Sequence, residues 1–232
     1  MQAVIFAAGE GRRMRPLTLD VPRPLLEVCG KPLLSYTLAS LPDEVDDLVV
    51  IVGYKEEQVR EYIADKFSDK RVTFVRQAVP QGTASALLLA RPHLTGGNFF
   101  TVYADDIYTK KDLEKLLTCG KGMLLSRSAD PSRFGVVMLD KRGRVLEIEE
   151  KPQNPKSNLV STGVYLLDEK VFSYPAEAHA NGERYLTDIV AAYALDYPHA
   201  GVESDMWIQI AYPEDLVNAE KILHSRHNPL LV

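Results

Sequence analysis

The sequence predicts an α/β fold, in which a doubly wound and mostly parallel sheet with helices on both faces carries a smaller β-rich portion. Up to about residue 130, short apolar runs alternate with segments of helical periodicity, as in successive βαβ units. After that point the pattern changes to a hairpin followed by one long strand. These two observations place an α/β half before about residue 130 and a β-rich half after it.

The first half contains runs that are apolar throughout, which is typical of strands covered on both faces. The predicted strands are residues 3–7, 48–52, 72–75, 99–103 and 123–126. The predicted helices between them are residues 32–41, 56–67, 83–94 and 111–117. Strands and helices in this order are typical of a Rossmann-like sheet.

The second half begins with residues 134–139 and 145–148, which predict a hairpin around the turn Lys141-Arg142-Gly143. Residues 159–167 predict another strand, with Gly163 in its middle. Helices are predicted over 185–195 and 213–224, the latter with Pro213 and two acidic residues at its start. We expect one domain over 1–232, divided functionally into about 1–130 and about 131–232.

Composition excludes several classes of protein. Of 232 residues, 46% are hydrophobic and 25% charged, which suits a globular core. A net charge of −5 argues against a nucleic-acid partner. No run approaches the roughly 18–20 apolar residues of a membrane span, and the start lacks a signal-type segment. Cys29 and Cys119 match no zinc or redox spacing, so we expect both to be reduced in a cytoplasmic protein.

The segment 6–18 leaves the first strand through Gly9 and Gly11 and then places three arginines within four residues. A dinucleotide fingerprint requires a third glycine where Met14 stands, and a P-loop requires Gly-Lys-Ser/Thr. What remains is a glycine turn followed by guanidiniums, which match phosphate oxygens bidentately. The alternative is a solvated basic loop.

The segment 6–18 resembles the Ala-Ala-Gly-x-Gly-Thr-Arg-Met-x-Pro signature of the sugar-1-phosphate nucleotidyltransferases. Further motifs of that family follow in its order over nearly the whole chain. They are Pro22-Arg23-Pro24-Leu25, Gly30-Lys31-Pro32-Leu33, Val52-Gly53-Tyr54, Gln77 through Ala84, Ala104-Asp105-Asp106, Phe134 through Val137, Glu150-Lys151-Pro152, Ser161 through Tyr165, and Trp207 through Leu216.

The resemblance implies an enzyme that joins a nucleoside triphosphate to a sugar 1-phosphate and releases pyrophosphate, by in-line attack on the α-phosphate. It implies that the opening loop, through Ala8, Gly9 and Gly11, holds the base and phosphates, with Arg13 as the catalytic arginine. The residues that it implies for the rest of the nucleotide site are Gln77, Gly82 and Thr83. For Gln77 the alternative is a polar residue at a strand exit, and for Thr83 a helix cap.

The resemblance also implies a Mg²⁺ site. Asp105 matches the family's metal aspartate, and it follows a predicted strand at the edge where doubly wound sheets bind ligands. Asp106 has the alternative of capping the next helix. Gln209 stands where the family has a second metal aspartate. Because its neutral amide binds Mg²⁺ less strongly than a carboxylate would, the alternatives are a weak affinity for the metal, a shifted metal position or lost activity.

In the second half the resemblance implies that Lys151 contacts the sugar phosphate and that Glu150 binds sugar hydroxyls. Gly135 and Gly163 then allow the backbone to approach the sugar, and this half is the implied sugar-binding portion. Arg23 replaces the family's usual lysine, which keeps the charge but changes its geometry, and we expect it to bind phosphate as one of the catalytic residues. A charge-rich hairpin edge is the alternative for the Glu150-Lys151 pair.

The segment Gly182 through Ile189 resembles N-acetylglucosamine-1-phosphate uridyltransferases, which favours UTP with an N-acetylglucosamine or glucose type of sugar 1-phosphate. The alternatives are dTTP with glucose 1-phosphate and GTP with mannose 1-phosphate. A different class also stays open, a nucleotide-sugar binding or regulatory homologue without turnover, because Gln209 departs from the family pattern. The sequence leaves homo-oligomer formation open.

Overall fold

A computed structural model describes residues 1–68 and 70–225. Its strands are β1 (Gln2–Ala7), β2 (Glu27–Val28), β3 (Lys31–Pro32), β4 (Asp47–Val52), β5 (Arg71–Arg76), β6 (Asn98–Tyr103), β7 (Ile107–Tyr108), β8 (Gly122–Arg127), β9 (Gly135–Leu139), β10 (Val145–Glu150), β11 (Leu159–Asp168), β12 (Ala200–Glu203) and β13 (Trp207–Ile208). Its helices are α1 (Leu33–Ala39), α2 (Glu56–Lys66), α3 (Thr83–Ala90), α4 (Lys110–Thr118), α5 (Leu186–Asp196) and α6 (Pro213–Ser225).

The first half builds the parallel part of the central sheet. Strand β1 lies between β4 and β6 and pairs in parallel with both, so that Ile5 faces Val50 on one side and Val102 on the other. Strand β5 adds to the outer edge of β4, again in parallel. These pairings confirm the predicted βαβ units from β1 to β6, and they bring the carboxyl ends of β1, β4, β5 and β6 to one edge.

The second half continues the same sheet with antiparallel strands. Strand β11 pairs antiparallel with β6, with Tyr165 opposite Thr101, and it also pairs with β8 and β9. The predicted hairpin is present as β9 and β10. Strand β8, expected in the parallel series, runs antiparallel to β11 and parallel to β12. The sheet is therefore mixed, because β11 returns from the hairpin in the opposite direction.

The core confirms that helices cover both faces of the sheet. Alternate residues of β1 face opposite sides, as the period of a strand requires. Val4 and Phe6 join a buried cluster with residues of α3 and α5. Ala3, Ile5 and Ala7 join another cluster with residues of α1, α2 and α4. A smaller cluster lies under α6 and includes Met14 and Ile210.

Some element boundaries differ from the sequence prediction. Helix α3 ends at Ala90, and Arg91–His93 forms a single 3₁₀ turn, because Pro92 cannot donate a backbone hydrogen bond. The prediction also missed the two-residue strands, β7 and β13 among them, which pair antiparallel beside the central sheet. Within the described residues, no helix has the length and apolar character needed to cross a membrane.

Candidate active site

A cavity of about 220 Å³ opens at the carboxyl end of β6, between the two halves of the chain. Much of its lining is charged. The charged lining residues are Arg13, Arg23, Arg133 and Lys151, together with Asp105, Asp106 and Glu150. These groups come from widely separated segments of the sequence and meet in the folded chain. Five of the seven are predicted site residues.

The three arginines of the opening loop have different partners. Glu10 binds two of them, with Arg12 Nε at 2.5 Å and Arg15 Nη2 at 3.7 Å. Arg13 has no carboxylate partner of this kind in the described part of the chain, and it lines the cavity. Glu10 is therefore the carboxylate partner of two of the guanidiniums, and the third guanidinium, that of Arg13, is the one that lines the cavity.

The loop conformation depends on Gly11, which has a left-handed φ of 61°. The Thr18 hydroxyl donates to the Gly11 carbonyl at 3.0 Å, and the Tyr54 hydroxyl donates to the Thr18 carbonyl at 2.8 Å. Gly9, in contrast, has open space where a side chain would begin. That space leaves the Gly9 backbone accessible to a ligand.

The predicted base-reading residues form a neighbouring group outside the lining of the charged cavity. Ala8 and Gln77 come together against Gly53, whose added Cβ would lie 2.9 Å from the Ala8 carbonyl and 3.2 Å from the Gln77 carbonyl. The buried Gln77 side chain donates to the Gly82 carbonyl at 3.3 Å. The structure thus places Ala8, Gln77 and Gly82 together.

Thr83 begins α3 but does not cap it. Its hydroxyl accepts a hydrogen bond at 2.9 Å from the backbone N–H of Leu186, the first residue of α5. Gly82 is required because the backbone of Arg184 passes so close that an added Cβ would meet its carbonyl oxygen at 2.3 Å. The segment before α5 is therefore held directly against the start of α3.

Asp105 forms a buried ion pair with Arg23 across the floor of the cavity. Burial raises the pKa of Asp105, while the guanidiniums of Arg23 and Arg13 act in the opposite direction. Arg23 Nε is itself buried without a hydrogen-bond partner in the described structure. The replacement of the family's lysine by Arg23 thus supplies a direct partner to the predicted metal aspartate.

Asp106 has a different role from its neighbour. Its carboxylate accepts from Trp207 Nε1 and from the Ile210 backbone N–H, each at 3.0 Å. Burial and the charge of Asp105 raise the pKa of Asp106 to about 7. The helix-cap alternative for Asp106 is wrong, because Thr109 caps α4. Asp106 instead fixes the loop that carries Gln209.

Gln209 follows β13 and lines the same cavity as Asp105. Within residues 1–68 and 70–225, no cluster of three histidine, cysteine or acidic side chains could hold a metal ion. Mg²⁺ usually takes few protein ligands and completes its shell with water and phosphate oxygens. One carboxylate and one amide oxygen fit a cation of that kind, which is shared with a phosphate-bearing substrate.

Glu150, the last residue of β10, and Lys151 line the same cavity. Lys151 Nζ is 3.1 Å from Glu150 Oε1 and 3.9 Å from the centre of the Tyr185 ring. The Thr187 hydroxyl donates to Glu150 Oε2 at 2.6 Å. The charge of Glu150 helps to raise the pKa of Lys151, although burial opposes this effect. The ammonium group is thus oriented by its neighbours at the cavity wall.

The two predicted sugar-side glycines line the cavity but are needed for packing. A Cβ on Gly163 would lie 1.9 Å from Tyr103 Cε2, and one on Gly135 would lie 2.7 Å from Thr187 Cγ2. The side-chain space of both glycines is therefore filled by protein. Gly163 also has a φ of 83° within an irregular part of β11.

The sequence prediction gives no role to several residues that line or border the cavity, among them Tyr103, Arg133, Tyr185 and Tyr212. Tyr103 and Tyr185 stand directly beside predicted motif residues, which is the signal that could have found them. Arg133 precedes the motif that starts at Phe134. Tyr212 lies inside the motif that runs from Trp207 through Leu216.

The fold and the site together indicate a class of protein. A mixed sheet with phosphate-matching cations at the carboxyl ends of its parallel strands is typical of nucleotide-binding α/β proteins. A sequence model of the family described as "Nucleotidyl transferase" matches residues 2–226. The chain belongs to this family.

Named relatives agree with that assignment. The chain is 33% identical over 231 residues to the "Bifunctional protein GlmU" of Methanocaldococcus jannaschii, a match that covers 98% of the chain and 55% of the relative. It is 32% identical to the "UTP--glucose-1-phosphate uridylyltransferase AglF" of Haloferax volcanii, with 96% of each covered. The chain therefore spans about half the length of the GlmU relative and nearly all of the second one.

Solved structures are similar over almost the whole chain. A putative glucose-1-phosphate thymidylyltransferase from Bacillus anthracis, in complex with a sucrose, has a TM-score of 0.84 and 29% identity, covering 96% of this chain and 94% of that one. A UDP-glucose pyrophosphorylase complexed with UDP-glucose has a TM-score of 0.83 at 19% identity, covering 97% and 98%. At that identity the second likeness supports the fold alone.

Proposed function

We propose that the chain is a sugar-1-phosphate nucleotidyltransferase, which joins a nucleoside triphosphate to a sugar 1-phosphate and releases pyrophosphate. The observation that carries this proposal is the convergence of Arg13, Asp105, Glu150 and Lys151 on one cavity. These residues come from segments far apart in the chain, and each has the chemistry that its motif predicts. Residues from about 1 to 130 would hold the nucleotide, and those from about 131 onward the sugar.

The reaction needs positioning and charge neutralisation rather than a protein nucleophile. A phosphate oxygen of the sugar 1-phosphate attacks the α-phosphorus in line, and the bond between that phosphorus and the bridging oxygen breaks. The electron pair leaves with pyrophosphate. Arg13 faces the phosphates as an unpaired guanidinium, while Lys151 holds the sugar phosphate and Glu150 binds sugar hydroxyls.

The proposed cation is Mg²⁺, held by Asp105 and Gln209. A divalent ion there supplies charge neutralisation to the phosphates. Arg23 orients the Asp105 carboxylate through their buried ion pair. The neutral Gln209 supports a weak affinity of the free protein for Mg²⁺, and this affinity would rise when the triphosphate adds its own oxygens.

UTP with a glucose or N-acetylglucosamine type of sugar 1-phosphate is the favoured substrate pair. The name of the Haloferax volcanii relative supports this choice, since it specifies UTP and glucose 1-phosphate. The thymidylyltransferase name of the Bacillus anthracis structure supports dTTP as the runner-up. We propose a cytoplasmic enzyme of small molecules, and the net charge of −5 supports the absence of a nucleic-acid partner.

The test is pyrophosphate release across a matrix of UTP, dTTP, GTP, ATP and CTP against several sugar 1-phosphates, with and without Mg²⁺. We expect release only when all three components are present, and the Arg13→Ala variant serves as the matched inactive control. The second candidate is a regulatory binder without turnover, favoured by Gln209 in place of a carboxylate. Nucleotide binding without release for any pair would select that candidate.

A further inference from the structure

The cavity contains two kinds of cation. Arg23 and Lys151 are each paired with a carboxylate, Asp105 and Glu150 respectively. Arg13 and Arg133 line the same cavity, and within residues 1–68 and 70–225 neither has a carboxylate oxygen within ion-pair distance. Both side chains are exposed at the cavity mouth. Two unpaired guanidiniums facing one cavity point to an anionic ligand with more than one phosphate group.

The two guanidiniums share one aromatic partner. Arg13 Cζ is 5.4 Å and Arg133 Cζ is 5.3 Å from the centre of the Tyr212 ring, both within the range of a cation–π contact. Arg13 comes from the opening loop and Arg133 from the turn before β9. Tyr212 therefore joins the two halves of the chain at the mouth of the site.

The backbone of Tyr212 is fixed at the start of α6. Asp215 Oδ2 accepts hydrogen bonds from the N–H groups of Ala211 and Tyr212, each at 2.8 Å. The hydroxyl of Tyr212 makes no hydrogen bond within the described part of the chain. The ring face, and not the hydroxyl, is thus the part of this side chain that contacts the arginines.

We propose that Arg133 is a further substrate-binding residue, which clamps the β- and γ-phosphates together with Arg13, and that Tyr212 positions both guanidiniums. This inference rests on the proposed function for the identity of the anion. Lys151 is proposed to hold the sugar phosphate, and its backbone N–H donates at 2.9 Å to the carbonyl of Phe134, the residue after Arg133. The exposed pair at the mouth suits the pyrophosphate, which must leave through solvent after the bond to the α-phosphorus breaks.

The experiment is calorimetric titration of the full chain with inorganic pyrophosphate and, separately, with glucose 1-phosphate, both in the presence of Mg²⁺. We expect Arg133→Ala to weaken pyrophosphate binding about tenfold, because it removes a charge-assisted contact, and to change glucose 1-phosphate binding less than about twofold. Arg142→Ala is the matched control, since Arg142 is an exposed arginine outside the cavity lining.

The role of Tyr212 is tested by Tyr212→Leu against Tyr212→Phe. The leucine variant loses the ring face, so we expect a loss of pyrophosphate affinity close to that of Arg133→Ala. The phenylalanine variant keeps the ring face and should bind like the parent. In the double variant Arg133→Ala/Tyr212→Leu the two losses should not add, because Tyr212 acts through the arginines.

Several results would overturn the clamp. They are a parent that does not bind pyrophosphate, an Arg133→Ala variant that binds it like the parent, an equal loss for glucose 1-phosphate, or a Tyr212→Phe variant as weak as Tyr212→Leu. Failure of the proposed function is a separate outcome. It would show as no turnover in the substrate matrix while pyrophosphate binding keeps the expected pattern across these variants.

Discussion

Replacing Gly163 by Ala should destabilise the protein and distort the site through the same clash. Gly163 has a φ of 83°, and an added Cβ would lie 1.9 Å from Tyr103 Cε2 and 2.4 Å from Cδ2. A comfortable carbon–carbon contact is about 3.5–4.0 Å, so the ring would need to move by about 1.5 Å. The Tyr103 ring cannot move freely, because it packs against Phe6 with the ring centres 5.8 Å apart.

The expected cost has two parts. A left-handed φ is unfavourable by about 1–2 kcal/mol for a residue with a Cβ. Overpacking in a fitted interior adds about 1–3 kcal/mol, and the reduced entropy of the unfolded chain offsets somewhat less than about 1 kcal/mol. We therefore expect Gly163→Ala to lower the free energy of unfolding by about 2–4 kcal/mol.

The matched control is Gly143→Ala. Gly143 also has a left-handed φ, of 74°, but no atom lies within 4 Å of its added Cβ. It carries the backbone cost alone, which we expect to be about 1 kcal/mol after the entropy offset. The difference between the two variants isolates the clash with Tyr103.

Urea unfolding followed by circular dichroism measures both free energies, and thermal unfolding should show a decrease in Tm of about 4–16 °C for Gly163→Ala. Turnover of the Gly163→Ala variant should also fall well below that of Gly143→Ala, because Tyr103 lines the cavity. Equal losses of stability for the two glycine variants would refute the reasoning, since the clash would then contribute nothing.

Three further predictions concern charge. Arg13→Ala should lower turnover on the order of 10²–10³-fold, the usual effect of removing one preorganised donor, and a tenfold or smaller loss in a pyrophosphate-release assay would contradict its role. Asp105→Asn should nearly abolish activity. Gln209→Asp should lower the Mg²⁺ concentration needed for half activity, because a second carboxylate attracts the cation. Superimposable Mg²⁺ titrations of the parent and Gln209→Asp would show that the cation binds elsewhere. Burial lowers the pKa of His199, whose Nδ1–H donates to a backbone carbonyl. As the pH falls below the ordinary histidine pKa of about 6.5, the unfolded chain takes up a proton before the folded chain does. The free energy of unfolding should therefore decrease from about pH 6.5 down to the lowered pKa of His199. The raised pKa of Asp106 changes stability in the opposite direction over this pH range. The effect of His199 is therefore isolated by subtracting the urea stability of His199→Gln from that of the parent at pH 7.5 and at pH 5.5. A difference that is the same at both pH values would contradict the prediction.

The parallel half of the fold could be predicted because its strands are continuous apolar runs separated by helices, as β1 and β4 show. The small strands could not, since β7 and β13 have two residues each and present no periodicity. The direction of β8 was also beyond local pattern. It depends on pairing with β11, which lies more than thirty residues further along the chain.

The candidate site, like the fold, could be predicted from the sequence only in part. The resemblance to the family's motifs was sufficient to select Asp105 and Lys151, and both line the cavity. It selected Arg13 as well, but it could not show that Glu10 folds back onto Arg12 and Arg15 and leaves Arg13 without a carboxylate partner. It also could not give the role of Asp106, since the partners of Asp106 are near residue 210 and meet it only in the folded chain.

The junction between α3 and the segment before α5 affects how the specificity of such an enzyme could be altered. Three hydrogen bonds join the two stretches: Ala84 N–H to the Arg184 carbonyl, Arg184 N–H to the Gln81 carbonyl, and Leu186 N–H to the Thr83 hydroxyl, all at 2.9–3.0 Å. One stretch lies beside the proposed base-reading residues, and the other leads into the wall that holds the proposed sugar ligands. A loop transplanted here from another family member to change the accepted sugar would therefore displace the base-reading stretch as well, so that the two selectivities would have to be engineered together.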